Sequence, residues 1–289
     1  MPSSARLVAV LGVGVLADPA APVLPADDLG LTRGDGCFEA TRLVVGIDGA
    51  HVDHLDMHVA RMARSAAALE IEFDEPSWRA LLDEVVAAWD VPGEAALRWM
   101  LTRGPESSSG SPAGVVTVTP IDEHTVRQRA GVTVHTLPIG RPARAMAGAP
   151  WLLGGVKTLS YAVNMSAGRE ARRRGVDDVL WVSTDGYVLE APRSAVIWRV
   201  GDRLVTTPTD GTGVLASISQ AAIFAAAGAA GVETTHELGR PADLLDADGV
   251  WLSSSGRLAA PVTELDGVAL AVDPVWNGRL RSWFETPLT

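Results

Sequence analysis

Four short apolar runs occupy residues 178–183, 187–190, 194–200 and 203–207, with ThrAspGly at 184–186 and GlyAsp at 201–202 between neighbouring runs. Turns this short join antiparallel neighbours, so the spacing predicts a strand meander. A sheet of this kind needs helices to cover it. Helical patterns lie at 160–174, at 217–229 and from 274 onward, and a further strand is expected at 249–254.

Upstream, residues 7–48 are short β-rich runs broken by Pro, Gly and Asp, which read as strands and hairpins. Residues 55–70 are helical by composition. Beyond Asp74 and Pro76, the residues Trp78, Leu81, Leu82, Val85, Val86 and Trp89 recur at helical spacing, one apolar face whose tryptophans read as core. Residues 95–102 and 115–120 alternate like strands, and GPESSSGSPAG between them is a flexible loop and a candidate lid. GVTVHTLP is a strand, and RPARAMAGAP after it suggests an interdomain connection or the border of a site. Periodicity alone gives an α/β or α+β protein of enzyme size; the change of pattern near 121–125 sets the expected boundary between a small α+β domain at 1–122 and a larger α/β domain at 123–289.

Arg6 and LVAVLGVGVLA resemble a short secretory segment, but two glycines interrupt the run and its basic flank is a single Arg. A buried strand is the expected reading, and the run is too short to span a bilayer as a helix. A net charge of −11, from 24 basic and 35 acidic residues, offers no basic field for nucleic acid. The single cysteine, Cys37, excludes an internal disulfide and a cysteine-based zinc cluster, and fits a cytoplasmic location. The six histidines show no HExxH or similar spacing, so no metal is expected.

Two residues stand out chemically. Lys157 opens KTLSYAVNMSAGREARRRG, and Glu190 lies in STDGYVLEAPRSAVIW. A lysine between a tight turn and an apolar run is a Schiff-base candidate, because burial lowers an amine's pKa and frees its lone pair. A carboxylate opposite a pyridine nitrogen would keep that nitrogen protonated and the ring electron-accepting. Each alone has a bland alternative, a solvated loop lysine and the end of an exposed strand.

Four blocks narrow the choice: DDLGLTRGDGCFEATR at 27–42, HLDMHVARMARSAAAL at 54–69, the stretch from Lys157 to Trp198, and the pair GTGVLASISQAAIF and WLSSSGRLAAPVTELDG. In this order they resemble the fold type IV (class IV) pyridoxal phosphate enzymes, which include branched-chain and D-amino acid aminotransferases and aminodeoxychorismate lyases. The resemblance implies an α+β enzyme of two α/β domains, D-amino acid aminotransferase-like, with the cofactor in the cleft between them and the Schiff-base lysine on the C-terminal domain. It also implies a homodimer.

By the same resemblance Lys157 is the Schiff-base lysine and Glu190 the partner of the pyridine nitrogen. Ile218 and Ser219 lie in the phosphate-binding turn, where Ser217 replaces the usual Gly. A plain serine N-cap there would use the same N–H groups. Arg61 is a phosphate ligand, and Ser254 and Ser255 match a second phosphate-contacting turn. Arg98 matches a carboxylate-binding position of branched-chain aminotransferases. Arg103, Arg33 and Arg257 are further cations for a small-molecule carboxylate substrate, and a structural ion pair is the equal alternative for each. Tyr161 and Asn164 follow Lys157 at i+4 and i+7, lining the pocket or packing the helix.

The sequence is most similar to the actinobacterial type of aminodeoxychorismate lyase, through PWLLGGVKTLSYAVNMS, DDVLWVSTDGYVLEAPRSAVIW and LASISQAAIF. Cys37 in GDGCFE also resembles the lyases, whereas Glu39 and Arg98 have counterparts in transaminases. The expected activity is conversion of 4-amino-4-deoxychorismate to 4-aminobenzoate and pyruvate, with a branched-chain, D- or aromatic aminotransferase as the alternative.

Overall fold

The computed structural model describes residues 5–107 and 111–286, so residues 108–110 of the candidate lid loop lie outside the described residues. The chain forms two compact units. The first runs to Asp122 and adds Val156–Tyr161, and the second takes Glu123–Gly155 and the chain from Ala162 onward.

Lys157, expected on the C-terminal domain, therefore packs within the N-terminal unit. Backbone pairing is the reason. The Phe38 N–H donates to the Lys157 carbonyl at 3.0 Å, the Leu159 N–H donates to the Gly36 carbonyl at 2.8 Å, and Cys37 bridges to Thr158.

The first unit contains β1 (Leu7–Val10), β2 (Gly14–Val15), α1 (Leu29–Arg33), β3 (Gly36–Gly46), β4 (Gly49–Val52), α2 (Leu55–Ala68), α3 (Glu75–Ala88), β5 (Gly93–Thr102) and β6 (Ala113–Pro120). The strands form an antiparallel sheet in the order β2-β1-β6-β5-β3-β4. Alternation along β5 sends Ala95, Leu97, Trp99 and Leu101 into the core. Opposite them, α2 buries Val59 and Met62 while α3 buries Trp78, Leu82 and Val85. Trp78 and Trp89 are both core residues, as the helical stripe indicates. The short helix α1 is absent from the sequence reading. Asp28 caps it, accepting from the Gly30 and Leu31 N–H groups, and Gly34 ends it in the left-handed region at φ 71°.

The second unit contains α4 (Glu123–Gln128), β7 (Val132–Pro138), a 3-10 turn (Pro150–Leu152), α5 (Ala162–Arg174), β8 (Asp178–Val182), β9 (Ala195–Val200), β10 (Arg203–Thr206), α6 (Ile218–Ala229), β11 (Thr234–His236), α7 (Pro241–Leu245), β12 (Gly249–Ser254), β13 (Leu258–Leu265), β14 (Val268–Ala269) and α8 (Pro274–Glu285). The sheet order is β11-β10-β9-β12-β13-β7-β8, with β14 paired to β13. Along β9, Val196 and Trp198 enter one apolar cluster with Val250 and Leu252. Ile197 between them enters another with Ile223, Phe224, Leu280 and Phe284 from α6 and α8.

The meander expectation is half right. GlyAsp at 201–202 does turn β9 antiparallel into β10. Residues 187–190, however, form no strand and close back on β8 through Val182 and Val188, and three strands, β12, β13 and β7, lie between β9 and β8. A tight turn closed by Ala191 and Ser194 through Pro192 redirects the chain, and Pro has no N–H to continue a ladder.

Gly36 illustrates how closely the Lys157 segment approaches. A Cβ there would lie 2.4 Å from the Leu101 carbonyl oxygen and 2.7 Å from Leu159 Cδ1. Gly36→Ala is expected to destabilise the protein by about 1–3 kcal/mol through overpacking, and urea unfolding measures it. An unchanged midpoint would mean that the segment yields freely.

Candidate active site

In the N-terminal unit, Lys157 Nζ lies 4.3 Å from the centre of the Phe38 ring and 5.4 Å from that of Tyr161. The two rings meet edge to face at 5.1 Å. A cationic amine is favoured over such faces. The Lys157 backbone N–H also donates to Ser65 Oγ on α2 at 3.4 Å. Because α5 begins only at Ala162, the helical i+4 argument for Tyr161 fails, yet Tyr161 reaches the lysine through Phe38. Asn164 instead donates to the Pro192 carbonyl in the second unit at 2.7 Å.

Arg61 lies on the buried face of α2 and grips Glu39 of β3 with two hydrogen bonds, Nε to Oε1 at 2.6 Å and Nη2 to Oε2 at 2.7 Å. His58, one helical turn earlier, places Nδ1 2.7 Å from Glu39 Oε2. Burial alone pushes the Glu39 carboxyl upward. The Arg61 charge and the hydrogen bonds from Arg61 and His58 outweigh it, holding the group at about 2. Burial pushes His58 down, so its neutral ring donates from Nδ1 to the carboxylate. Glu39 and His58 were absent from the candidate set. The spacing of His58 and Arg61 was visible, but their shared carboxylate lies 19 and 22 residues away.

The candidate substrate arginines occupy different settings. Arg98 is exposed on β5, opposite Ala40, and therefore on the sheet face that carries Phe38; its Nη1 donates to Thr119 Oγ1 at 3.1 Å. Arg33 is exposed in the last turn of α1. Arg103 is a clamp, with Nε on Asp35 at 2.6 Å and Nη2 on the Leu69 carbonyl at 2.6 Å, which ties the end of α2 to the turn before β3. Arg257 is 4% exposed and pairs with Asp178, so its guanidinium is removed from a substrate arriving from solvent.

In the C-terminal unit, the half-buried Glu190 carboxylate accepts from the Leu215 N–H at 3.3 and 3.4 Å. Arg141 is a neighbour that sequence reasoning missed. Its Nη1 donates to the Thr212 carbonyl at 2.7 Å; burial lowers its pKa, and the charge of Glu190 opposes that shift. The stretch that meets Glu190 leads directly into α6. Ser217 caps that helix, accepting from the Gln220 N–H, while Ile218 and Ser219 form its buried first turn. With φ −71° and ψ 123°, Ser217 adopts a backbone open to any residue, so its replacement of Gly introduces no strain. Ser254 and Ser255 are half-buried at the turn between β12 and β13. Among the described residues no His, Cys, Asp and Glu cluster could hold a metal, and no helix is long and apolar enough to cross a membrane.

The sequence model of a family described as amino-transferase class IV matches residues 36–265. A relative from Mycobacterium tuberculosis named bifunctional aminodeoxychorismate lyase / D-amino acid transaminase is 39% identical over 272 residues, covering 91% of this chain and 92% of the relative. A solved structure described as a hypothetical aminotransferase from Mycobacterium tuberculosis, PLP-bound form, superposes with a TM-score of 0.89 at 37% identity over 97% of this chain and 99% of that one. A fold IV transaminase from Curtobacterium pusillum matches with a TM-score of 0.89 at 38% identity over 98% of this chain and all of that one.

The Glu39 cluster carries a pH signature. Its folded pKa of about 2 lies below the ordinary 4.5, so its stabilisation is complete above about 4.5 and is lost as pH falls through 2. His58, also depressed, begins to cost stability as pH drops below its ordinary value of 6.5. Glu39→Gln, which strands the buried Arg61 charge, is expected to cost about 3–5 kcal/mol at neutral pH and to flatten the decline between pH 4.5 and 2. Urea unfolding across that range decides it, since an unchanged slope would remove Glu39 from the acid response.

Proposed function

Because the chain belongs to the class IV aminotransferases, enzymes of fold type IV, we propose that it is a pyridoxal 5'-phosphate-dependent 4-amino-4-deoxychorismate lyase with a D-amino acid transaminase as the second reading. The 39% identical relative, named for both activities and aligned over 91% of this chain, carries the proposal. The working form would be a homodimer, as the family resemblance implies, in the reducing cytoplasm that a single cysteine fits.

The donor chemistry fits this cofactor. Lys157 offers an amine held over two aromatic rings, Glu190 a half-buried carboxylate, and α6 an N-terminus whose first turn includes Ser219. Arg61, Ile218, Ser219, Ser254 and Ser255 would hold the phosphate, and Glu190 would face the pyridine nitrogen. When bound, the cofactor supplies an electron sink for the substrate carbon.

The residues of the chain then divide the work. Lys157 Nζ would anchor the cofactor, and as a free amine it would take the ring proton of aminodeoxychorismate while the ring C–O bond to the enolpyruvyl group breaks. A proton returned to the methylene carbon of the departing enolpyruvyl group yields pyruvate, and the ring is released as 4-aminobenzoate. Transamination of a D-amino acid would ask the same amine to take the proton from the substrate Cα and return it during amine transfer. Arg98, exposed on the Phe38 face, is the arginine best placed in its own unit for a substrate carboxylate, with Tyr161 beside the lysine.

Incubation of the cofactor-loaded protein with 4-amino-4-deoxychorismate should release 4-aminobenzoate and pyruvate in equal amounts. Lys157→Ala should abolish both while retaining the wild-type circular dichroism spectrum. Absence of both products, with a pyridoxamine form appearing on addition of D-alanine, would replace the lyase reading by the transaminase. Arg98→Met should raise KM by about tenfold or more, through loss of a charge-assisted hydrogen bond; steady-state kinetics with either substrate checks it, and an unchanged KM would free Arg98 of that role.

A further inference from the structure

Arg257 entered as a substrate cation, but its environment assigns it other work. Its guanidinium is buried in the C-terminal unit, on the second residue after Ser255. Nε donates to Gln128 Oε1 at 2.9 Å, at the end of α4. Nη1 serves both the Asp178 carboxylate, at the start of β8, and Ser194 Oγ at 3.3 Å. Asp178, Gln128 and Ser194 are themselves buried. The Arg257 backbone N–H meets Ser254 Oγ at 3.4 Å, and Nη2 is buried with no hydrogen-bond partner.

Two of these contacts lead to the proposed cofactor residues. Ser194 closes the tight turn that begins at Ala191, directly after Glu190. Ser254 and Ser255 immediately precede the Gly256–Arg257 turn. One rigid, planar cation is therefore bonded through Ser194 to the turn that follows Glu190, while its own residue, through the backbone N–H on Ser254, belongs to the turn of the proposed phosphate serines. Lysine carries its three donors on one nitrogen and lacks the planar fork that reaches Gln128 from Nε and Asp178 and Ser194 from Nη1.

We infer that Arg257 is a positioning residue for cofactor binding, fixing the Ser254–Ser255 turn and the turn that follows Glu190 in one register, and that it touches neither substrate nor cofactor. The inference rests on the functional reading above. It assigns the carboxylate-binding task to other arginines, and it gives the hairpin of β12 and β13 a part in cofactor affinity.

The test is a titration of the cofactor-free full chain with pyridoxal 5'-phosphate, followed by absorbance and by the 31P resonance of the bound phosphate. Thermal unfolding of the cofactor-free protein is recorded alongside. Arg257→Lys keeps the charge and loses the fork, and Arg257→Met with Asp178→Asn removes both buried charges together, so a folded variant is obtained if either tolerates the change. Either folded variant is expected to raise the cofactor Kd by about tenfold or more and to move the 31P resonance. Combined with Ser255→Ala, it should add little beyond Ser255→Ala alone, because both act through one turn. A Kd within twofold of wild type and an unmoved 31P resonance, with only the unfolding temperature lowered, would reduce Arg257 to a structural residue and overturn the inference. So would failure of both variants to fold while Ser194→Ala, which removes one arm of the node, leaves Kd and resonance unchanged. Failure of the wild-type chain to bind the cofactor would instead sink the functional reading itself.

Discussion

Everything proposed for Lys157 depends on the backbone pairing of residues 157–159 with residues 36–38. Two main-chain hydrogen bonds, from Phe38 to Lys157 and from Leu159 to Gly36, fix the lysine against β3 instead of leaving it at the mouth of a helix. A helix would have set the direction of the side chain by its own periodicity. A strand-like pairing sets it by alternation, and here it places the amine over the Phe38 ring. Gly36 permits this contact because its missing Cβ leaves room for both the Leu101 carbonyl and the Leu159 side chain. A six-residue excursion, Val156–Tyr161, thus makes the amine part of the N-terminal unit, while Glu190 belongs to the other.

Each unit also buries an arginine–carboxylate pair, Arg61 with Glu39 in the first and Arg257 with Asp178 in the second. Buried pairs of this kind recover their desolvation cost only with good geometry and additional hydrogen bonds, so they are weak arguments for stability. Both pairs have such bonds, from His58 in one case and to Gln128 and Ser194 in the other. What they provide more convincingly is fixed orientation. Arg61 is held bidentately, its plane set by the carboxylate of β3, before any ligand arrives. Glu39 holds a negative charge throughout the range in which the enzyme would work, since its pKa is near 2.

The sequence revealed chemistry more readily than connectivity. Lys157, Glu190, Arg61 and the start of α6 stand out as candidates because each sits in an ordered sequence block. The cores of α3 and β9 were legible because periodicity encodes burial. The path from β8 to β9 was not, because turn signals specify a local reversal and say nothing about which strand the chain joins next; the turn through Pro192 sends it to β12. The partners of Glu39 and Arg257 were equally hidden. Asp178 lies 79 residues from Arg257, and no local pattern marks a contact over that separation. The helix α1 is the one omission with a readable signal, since Asp28 and Gly34 bracket it as cap residues.

The arginines carry this argument to substrate choice. A lyase and a transaminase ask the same amine to move a proton, so the distinction falls on where substrate carboxylates are held. Arg103 is committed to Asp35 and the Leu69 carbonyl, and Arg257 to its buried node, which removes two of the four candidates from direct recognition. Arg33 and Arg98 are the exposed pair, and of these only Arg98 is placed by strand register on the face that carries Phe38 and, through Phe38, the lysine amine. Its Nη1 donates to Thr119 Oγ1 on the neighbouring strand, which directs the guanidinium along that face. The chain thus separates two placements of arginine, one exposed on the strand face that carries Phe38 and one buried against the Glu39 carboxylate.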